Sequence, residues 1–302
     1  MVNEGTVFCD IIFSGMKKIA FAVTNEDIDF HQTLLEHGAD EVVYALNGCA
    51  FSGLCGFDLD QVQNLDHCSV LCTRLFPQDQ LEQLKRLLDA ITETEIRHVY
   101  FSDPAVVELA DEQLKPRLLY RPETLATNAL DARWWMEQGI GGVSVSPVLT
   151  INEVEDILKK CPDCEVTIHG HLLLSASRRL LLSLYAEEAG LDPQITGHND
   201  LSLKEEKRDY ELGIYENGCG TFIYSDFVQE SLGDVVKFAA DGADRFFIDS
   251  VRLSHEETVS ALDAYQAVLQ GADAARAAQA LKDAFAAGEL TREEYVQKLN
   301  AL

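Results

Sequence analysis

The stretch Glu36-His37-Gly38-Ala39-Asp40-Glu41-Val42-Val43-Tyr44-Ala45-Leu46 indicates the class of the fold. A helical pattern ends at Gly38, because glycine tolerates the left-handed conformation that turns a chain out of a helix. A β-rich apolar run follows within three residues. The same order of helix end, glycine and strand recurs at Gln138-Gly139 and at Asp241-Gly242-Ala243-Asp244. Repetition of this unit is typical of α/β proteins with parallel strands.

Eight short β-rich runs alternate with longer helical patterns along the chain. The helical patterns, such as Gln78–Ile91, Thr127–Gln138 and Ile151–Lys160, have apolar residues three and four positions apart. The eight runs are Ile19–Val23, Glu41–Leu46, Cys68–Thr73, Arg97–Phe101, Arg117–Tyr120, Gly142–Ser146, Glu165–His169 and Arg245–Asp249. Eight strands separated mainly by helices predict an α/β fold, a closed (β/α)8 TIM-like barrel. A doubly wound open sheet is the alternative, since the pattern alone does not prove closure.

The barrel is predicted to carry three additions. Residues 1–15 look unlike the rest and are expected to be a poorly ordered N-terminal extension, and residues 16–271 are expected to form the barrel. Between its seventh and eighth strands we predict a helix at about Leu172–Ala189 and a polar excursion over Leu191–Ser225 that covers the barrel mouth. Residues 272–302 are predicted as a C-terminal helical tail, two helices joined at Gly288-Glu289-Leu290-Thr291. This tail would either pack on the barrel or form an interaction hairpin.

The composition restricts the partners of the chain. Its 24 Lys and Arg residues oppose 51 Asp and Glu residues, which gives a net charge of −27. Such a charge repels phosphate backbones, so we expect no broad direct nucleic-acid binding by this chain alone, unless a local basic pocket or a basic partner reverses the field. No stretch is apolar enough to span a bilayer and no secretory signal is visible, so we expect a cytoplasmic protein with reduced thiols and no membrane partner.

Three stretches in the same order resemble one protein family. His37-Gly38-Ala39-Asp40-Glu41-Val42-Val43-Tyr44 is similar to an early gly-ala-asp-x-val-tyr strand, and Val166-Thr167-Ile168-His169-Gly170 to a strand that ends in His-Gly. Ile223-Tyr224-Ser225-Asp226-Phe227, followed by Gly242-Ala243-Asp244-Arg245-Phe246-Phe247-Ile248-Asp249, resembles closing ser-x-asp-leu and gly-x-asp-x-x-x-ile-glu segments. Over about residues 18–271 the chain therefore resembles the collagenase-like (U-32) peptidase family.

The departures from the family pattern concern its cysteines. In the family, cysteines follow the His-Gly strand and recur later, and in several members they hold an iron–sulfur cluster. The matching positions here are Leu173 and Leu180, and the later segment Leu203-Lys204-Glu205-Glu206-Lys207-Arg208 has no cysteine. Because a cluster needs thiolate ligands, we predict no cluster and no other cofactor in this chain.

The resemblance also implies a set of functions. The family includes proteins described as collagenases and others implicated in oxygen-independent hydroxylation of transfer RNA, ribosomal RNA or quinone precursors. Short members without a cluster often accompany a longer relative. The system closest to this chain hydroxylates wobble uridine in transfer RNA and uses prephenate. The resemblance therefore implies a hetero-oligomer with a longer, cysteine-containing U-32 homologue, and prephenate as a co-substrate of the system.

Arginines at the ends of the predicted strands suggest an anion site. In a (β/α)8 barrel, functional side chains gather at the carboxyl ends of the strands. Guanidinium groups match carboxylate and phosphate in a bidentate manner, so arginines that converge there would bind an anion. The predicted substrate-binding residues are Arg74, Arg121, Arg179, Arg252 and Asn47. The alternative is that each arginine forms a structural ion pair with a neighbouring carboxylate.

His169-Gly170-His171 places two histidines on one side of the seventh strand. A histidine with a pKa near neutrality can transfer protons, so we predict His169, His171 and Asp249 as catalytic. The alternative is a histidine that is hydrogen-bonded at the barrel rim. A metal would need a third ligand, for which Asp249 or His198 would have to turn inward, and we predict no metal site.

Two groups of cysteines lie at opposite ends of the predicted barrel. Cys161-Pro162-Asp163-Cys164 precedes its strand, so it falls at the face opposite the mouth, and we interpret it as structural. Cys49 and Cys55 follow the second strand and lie on the functional side, where they are too few to form a site without residues from elsewhere.

Three functions compete on this basis. The chain is a subunit of a hydroxylating system, a hydrolase as the family name implies, or a non-catalytic scaffold. The sequence has no gly-x-ser-x-gly elbow, no his-glu-x-x-his pair and no recognisable Cys–His signature, which disfavours the hydrolase. We therefore predict a non-proteolytic subunit with an anion-binding barrel mouth.

Overall fold

The computed structural model describes residues 18–51, 53–192, 200–204, 206–207, 210–284 and 289–291. The strands are β1 Ala20–Thr24, β2 Glu41–Ala45, β3 Cys68–Cys72, β4 Val99–Phe101, β5 Leu118–Tyr120, β6 Gly142–Val145, β7 Glu165–Ser177, β8 Ser202–Lys204, β9 Glu211–Asn217, β10 Gly220–Glu230, β11 Arg245–Asp249 and β12 Glu289–Thr291. The α-helices are α1 His31–Glu36, α2 Leu59–Val62, α3 Leu81–Thr92, α4 Ala105–Leu109, α5 Ala129–Met136, α6 Ile151–Lys160, α7 Leu181–Ala189, α8 Val235–Asp241, α9 His255–Leu269 and α10 Ala274–Ala284.

Strands β1 to β7 and β11 form a closed parallel barrel. Each of the first six strands pairs in parallel with the next, and β11 pairs in parallel with both β7 and β1. The closing registers are Ala20 opposite Arg245 and Glu165 opposite Arg245. Because β11 has a neighbour on each side, the eight strands have no free edge between them. The predicted TIM-like barrel is confirmed, and the open sheet is wrong.

Strand alternation divides the core into two layers. Side chains such as Phe21 and Val23 point outward into a large apolar layer beneath the helices. Val43, Tyr100 and Phe247 belong to a smaller apolar cluster that fills the barrel interior. The helices that cover the outer layer end where expected, and at Gly242 the chain leaves α8 in the left-handed conformation with φ 116°. These packed layers hold the strand ends in fixed positions around the mouth.

Charged groups close the interior at the amino-terminal end of the barrel. Glu41 accepts hydrogen bonds from Ser69 and Arg245, and it forms an ion pair with His98 at 2.8 Å. These partners outweigh burial and lower the pKa of Glu41 to about 2. The end of the barrel opposite the mouth is therefore filled and ion-paired.

The predicted helix at Leu172–Ala189 is wrong in its first half. β7 runs on through Ser177, well beyond the barrel, and the helix α7 begins only at Leu181. The extension pairs antiparallel with β10, from His169 opposite Glu230 to Ser177 opposite Thr221. β10 also pairs antiparallel with β9, so the expected excursion contains a hairpin that extends the sheet above the mouth.

The described part of the tail combines a helix with a strand. α10 is the predicted first helix, whereas Glu289–Thr291, expected as a joint between helices, is strand β12 and pairs in parallel with β10. The expected extension at residues 1–15 and the second tail helix lie outside the described residues. Within the residues that are described, no helix has the length and apolar character that crossing a bilayer requires.

Candidate functional site

Three carboxyl groups and one tyrosine meet at the carboxyl ends of the barrel strands. Glu26 follows β1, Glu123 follows β5, and Asp249 is the last residue of β11. Tyr224 reaches them from β10 and interacts electrostatically with all three. The close approach of β7 to β11 depends on Gly170 (φ 131°), since a Cβ there would lie 2.2 Å from the Asp249 carbonyl oxygen.

Arg121 forms the floor of this carboxyl cluster. Its Nη1 lies 3.1 Å from Ser144 Oγ, 3.2 Å from Glu165 Oε1 and 3.2 Å from Thr167 Oγ1. Its Nε lies 3.7 Å from Glu123 Oε1, and the guanidinium lies 3.7 Å from the centroid of the Phe247 ring. The side chain is 5% exposed. Arg121 is therefore an interior cation that is already surrounded by acceptors.

Burial raises the pKa of each carboxyl group in the cluster. For Glu123 and Asp249, burial is the largest cause, and attraction to Arg121 offsets it only in part. Burial raises the pKa of Glu26 to about 7, opposed by the hydrogen bond from the Leu54 amide and reinforced by repulsion from Asp249. The cluster can therefore hold protons near neutral pH and can donate as well as accept hydrogen bonds.

Two buried hydroxyl groups in the mouth lack partners. Tyr224 is 1% exposed and Ser146 is fully buried, and neither hydroxyl has a hydrogen-bond partner among the described residues. The Gly53 backbone lies near the Tyr224 hydroxyl without completing a hydrogen bond to it. Glu123 Oε1 is likewise without a hydrogen bond among those residues. Because buried polar groups are normally satisfied, these atoms indicate a place for the polar groups of a ligand.

A cleft leads from the surface to Glu123. Its volume is about 320 Å³, within the range of small-molecule sites. Its walls come from the loops after β3, β4 and β5, from the extension of β7 and from Phe51. The lining residues are Phe51, Leu75, Ser102, Pro122, Glu123, Thr124, Leu125, Leu173, Leu174, Ser175 and Ala176. The cleft thus has largely apolar walls, and it adjoins the carboxyl cluster through Glu123. We refer to it below as the mouth cleft.

The structure does not bring the predicted anion-binding arginines together. Arg121 lies in the interior, as described above. Arg74 Nη1 donates a hydrogen bond of 2.6 Å to the Gly48 carbonyl, and the Arg252 guanidinium lies against the backbone of Gly213 on β9. Arg179 is exposed beyond the end of β7. Arg121 instead forms a structural ion pair with Glu165, which is the alternative that the sequence analysis gave for these arginines.

Asn47 also lies outside the carboxyl cluster. Its amide nitrogen donates a 2.9 Å hydrogen bond to Asp58 Oδ1 at the start of α2. Among the predicted substrate-binding residues, Arg121 has a side chain that interacts with Glu123 and Asp249.

Of the predicted catalytic residues, Asp249 lies in the cluster and the two histidines contact other groups. Asp249 Oδ1 accepts hydrogen bonds from Thr24 Oγ1 and the Val251 amide, both 3.2 Å long. A bulge in β7 places His169 opposite Ile248, on the face that the helices cover, and its ring packs edge-on against Tyr265 of α9 at 5.7 Å.

The environment of both histidines favours the neutral imidazole. Burial lowers the pKa of His169 to about 3, and repulsion from His171 adds to this effect. The His171 pKa is lowered mainly by burial, and its Nδ1 donates to the Ser225 carbonyl at 2.9 Å. Both rings therefore match the alternative of hydrogen-bonded histidines at the barrel rim.

Sequence analysis missed Glu26, Glu123 and Tyr224. The first two have a signal that was available, because Glu26 lies two residues beyond the end of β1 and Glu123 three residues beyond the end of β5, where the prediction stopped at Arg121. Tyr224 stands within a motif already noted, but its position over the mouth depends on the register between β10 and β7. That register is a tertiary feature without a local pattern.

The donor atoms of the chain do not fit an iron–sulfur cluster. Leu173 and Leu180, at the positions where the resemblance places cysteines, offer no ligand, and Leu173 is a wall of the mouth cleft. No group of three or more His, Cys, Asp or Glu side chains within the described ranges is arranged to hold a metal ion. We therefore derive no chemistry through a metal in this chain.

Replacement of Glu26 by glutamine is expected to change the pH dependence of stability. The pKa of Glu26 is raised by folding, so its stabilising contribution is complete below the unfolded value of 4.5 and is lost as the pH rises to about 7. At about pH 8, Glu26→Gln should therefore be more stable than the parent by up to about 3 kcal/mol, with a much smaller difference near pH 5.

Urea unfolding of both proteins at a series of pH values measures this difference. The exposed Glu93→Gln serves as the matched control and should follow the parent at every pH. A constant difference between Glu26→Gln and the parent from about pH 5 to pH 8 would show that Glu26 does not titrate in this range.

Three comparisons relate the chain to known proteins. The model of peptidase family U32 matches residues 27–297. Over 109 residues the chain is 29% identical to tRNA hydroxylation protein P of Escherichia coli (strain K12), which corresponds to 35% of this chain and 24% of that protein. The aligned region thus spans about a quarter of that relative. A solved structure of a U32 peptidase superposes with a TM-score of 0.48 at 13% identity, covering 77% of this chain and 93% of the other.

Proposed function

Because this chain belongs to peptidase family U32, as its three motifs indicate, we propose that it is a non-proteolytic subunit of a transfer-RNA hydroxylation system that acts on wobble uridine. The observation that carries this proposal is the match to tRNA hydroxylation protein P. The character of the mouth supports it. Glu123 joins the cleft to a cluster of carboxyl groups that includes the buried Tyr224 hydroxyl, and such groups suit the binding and protonation of a small molecule.

The proposed ligand of the mouth cleft is prephenate, the co-substrate of the system. Apolar walls such as Leu125 and Phe51 suit a carbon ring, while Glu123 in the lining and the neighbouring Tyr224 hydroxyl suit its polar substituents. A dicarboxylate would be repelled by ionised Glu123 and Asp249. Their raised pKa values favour the protonated forms, which can donate hydrogen bonds to a carboxylate. Binding should therefore weaken as the pH rises.

The proposed partner is a longer, cysteine-containing member of the family that supplies the iron–sulfur cluster. The surface we assign to it lies on α7, where Leu181, Leu184 and Tyr185 share one helical face and are 42%, 54% and 62% exposed. Two copies of this chain, each with a net charge of −27, repel one another. A less acidic protein is therefore the more favourable occupant of this apolar face.

The proposal is tested in the native host by removing the chain and analysing the nucleosides of transfer RNA by mass spectrometry. Hydroxylated wobble uridine should fall to background and return when the chain is supplied again. Unchanged hydroxylation would overturn the proposed function. If the purified chain cleaves a collagen peptide and substitution of Glu123 abolishes this cleavage, the chain is a hydrolase and the proposed function is wrong.

The partner is tested in the same host with a tagged chain. Affinity capture should recover a cysteine-rich family member together with iron, and Leu184→Glu should reduce its recovery. Glu187→Gln is exposed on the same helix outside the apolar face and is the matched control. Recovery of the chain alone, free of iron, would contradict the proposed partnership while leaving the nucleoside test intact.

A further inference from the structure

Cysteines from three separate segments meet around Arg74 at the mouth end of the barrel. Cys49 lies in the loop after β2, Cys72 is the last residue of β3, and Cys219 lies between β9 and β10. Cys49 packs against the apolar layer that contains Cys72, and the Arg74 cation lies near the thiols of Cys49 and Cys219. Sequence analysis found Cys49 and Cys55 too few to form a site alone, and the fold brings Cys72 and Cys219 into the surroundings of Cys49 and Arg74.

The backbone fixes the first two cysteines relative to each other. The Arg74 amide donates a 2.9 Å hydrogen bond to the Cys49 carbonyl, and Cys72 precedes Arg74 by two residues on the same side of the strand. The Arg74 guanidinium donates to the Gly48 carbonyl, which holds it next to Cys49. The Cys49 thiol is thus held against a buried thiol and beside a cation.

Cys49 is also accessible to small molecules. It lines a cavity of about 270 Å³ that lies between the loop after β2 and helix α3. Arg74 and Phe76 are also among the residues that line this cavity. Cys72, in contrast, is fully buried in the apolar layer under the helices. A reagent that enters the cavity therefore reaches Cys49 first, with Cys72 behind it.

From this arrangement we propose that Cys49 is an oxidation site for hydroperoxides and that Cys72 is its resolving thiol. The Cys49 thiolate attacks one oxygen of the peroxide, the O–O bond breaks, and Cys49 becomes a sulfenic acid while hydroxide or alkoxide leaves. The Cys72 sulfur then attacks the Cys49 sulfur, a disulfide forms, and the sulfenic oxygen leaves as water. The peroxide is reduced by two electrons and the two thiols are oxidised by two.

The surroundings of the thiols assign the two roles. The pKa of Cys49 is lowered, chiefly by the hydrogen bond with Cys72 and further by the nearby Arg74 cation. The pKa of Cys72 is raised well above its ordinary value by the same hydrogen bond and by burial. The attacking group must be the thiolate, so the half-buried Cys49 is the nucleophile.

Oxidation at Cys49 would reach the mouth cleft through a short segment of chain. Phe51, two residues further on, lines that cleft, and its amide donates a 3.1 Å hydrogen bond to Thr73 Oγ1. Cys49 is two residues from Phe51, and Cys72 is adjacent to Thr73. A disulfide between Cys49 and Cys72 would therefore shift both residues of this hydrogen bond. The site is therefore placed to make ligand binding in the cleft sensitive to peroxide.

Cys55 provides an internal control, because it is more exposed than Cys49 but is expected to react more slowly. Cys55 is exposed, but burial of its thiol, Glu26 and Asp27 raise its pKa. At about pH 7, alkylation of Cys49 should be about tenfold faster than alkylation of Cys55. Arg74→Gln should slow the Cys49 reaction several-fold, and Arg74→Lys should largely restore it.

The test treats the reduced full chain with one equivalent of hydrogen peroxide, alkylates the remaining thiols and maps the peptides by mass spectrometry. The expected product has lost about 2 Da and contains a Cys49–Cys72 disulfide. In Cys72→Ser, which keeps a hydroxyl beside Cys49, a sulfenic acid at Cys49 should be trapped by dimedone instead, and Cys49→Ser should form no disulfide with Cys72. First oxidation at Cys55, at the Cys161–Cys164 pair, or a Cys49–Cys219 bridge would each overturn the assignment.

Discussion

Substitution of Arg121 by alanine is expected to lower the free energy of unfolding by about 3–5 kcal/mol. Arg121 is the cation that faces Glu123, Glu165 and Asp249 inside the barrel. Its removal would take the 3.2 Å ion pair from Glu165, which is 2% exposed, and leave it the longer 3.9 Å contact with Arg245. A buried charge that loses its partner costs more than the pair contributes when intact, so the effect is large.

Urea unfolding at neutral pH measures this loss, and Arg97→Ala is the matched control. Arg97 is exposed and donates a single 3.0 Å hydrogen bond to the Asp40 carbonyl, so its loss should cost no more than about 1 kcal/mol. The double variant Arg121→Met with Glu165→Leu should be more stable than Arg121→Met alone, because the buried carboxylate that lost its 3.2 Å partner is removed as well.

Unchanged stability in Arg121→Ala would instead indicate that Arg121 binds a ligand. If Arg121→Ala unfolds like the parent while transfer-RNA hydroxylation is lost, its guanidinium binds an anion, as the arginine pattern in the sequence predicts. If stability falls and the double variant does not recover it, the lost free energy comes from the cavity left by the Arg121 side chain and from its lost contact with Phe247. The ion pair with Glu165 would then contribute little to stability.

The barrel was predictable because its signals are local. Each strand is a short apolar run, and helix ends such as Gly242 mark the returns to the sheet. These features depend on neighbours in the sequence, so they can be read without tertiary contacts. The helix predicted at Leu172–Ala189 shows where that reading ends. Leu172, Leu173 and Leu174 also suit a helix, and they form a strand because β10, some fifty residues away, pairs with them.

The site was predictable in its location but only partly in its residues. The sequence indicates which residues end each strand, and Asp249 is among those found in the carboxyl cluster. It does not indicate how far a long side chain extends or which way it turns. Arg74 and Arg121 both follow strand ends, yet one turns toward Gly48 and the other descends to Glu165. Such choices are decided by the acceptors that the fold provides.

Substitution of Tyr224 by phenylalanine is expected to separate function from stability. The Tyr224 hydroxyl is buried and has no hydrogen-bond partner among the described residues, so its removal deletes an unsatisfied group. Stability should stay unchanged or rise by up to about 1–2 kcal/mol. If the hydroxyl donates to the ligand in the mouth, hydroxylation of transfer RNA should fall about 100-fold or more, as for other donors that stabilise a reacting group.

The measurement combines urea unfolding with the nucleoside analysis in the complemented strain. Tyr215→Phe is the matched control, because the Tyr215 hydroxyl donates to the Leu54 carbonyl. Its loss should cost about 1 kcal/mol, with little effect on hydroxylation. Glu123→Gln is the second variant, since it keeps the size of the side chain while removing its ability to ionise.

The possible outcomes distinguish the three functions that the sequence left open. Loss of hydroxylation at full stability makes the carboxyl and tyrosine cluster the working part of a hydroxylation subunit. Full hydroxylation in both Tyr224→Phe and Glu123→Gln would mean that the mouth is unused and that the chain serves as a scaffold. Loss of both stability and hydroxylation in Tyr224→Phe would show that its hydroxyl is satisfied in the folded protein. The inference of a ligand from Tyr224 would then be wrong, because that inference depends on a buried donor that the protein itself leaves free.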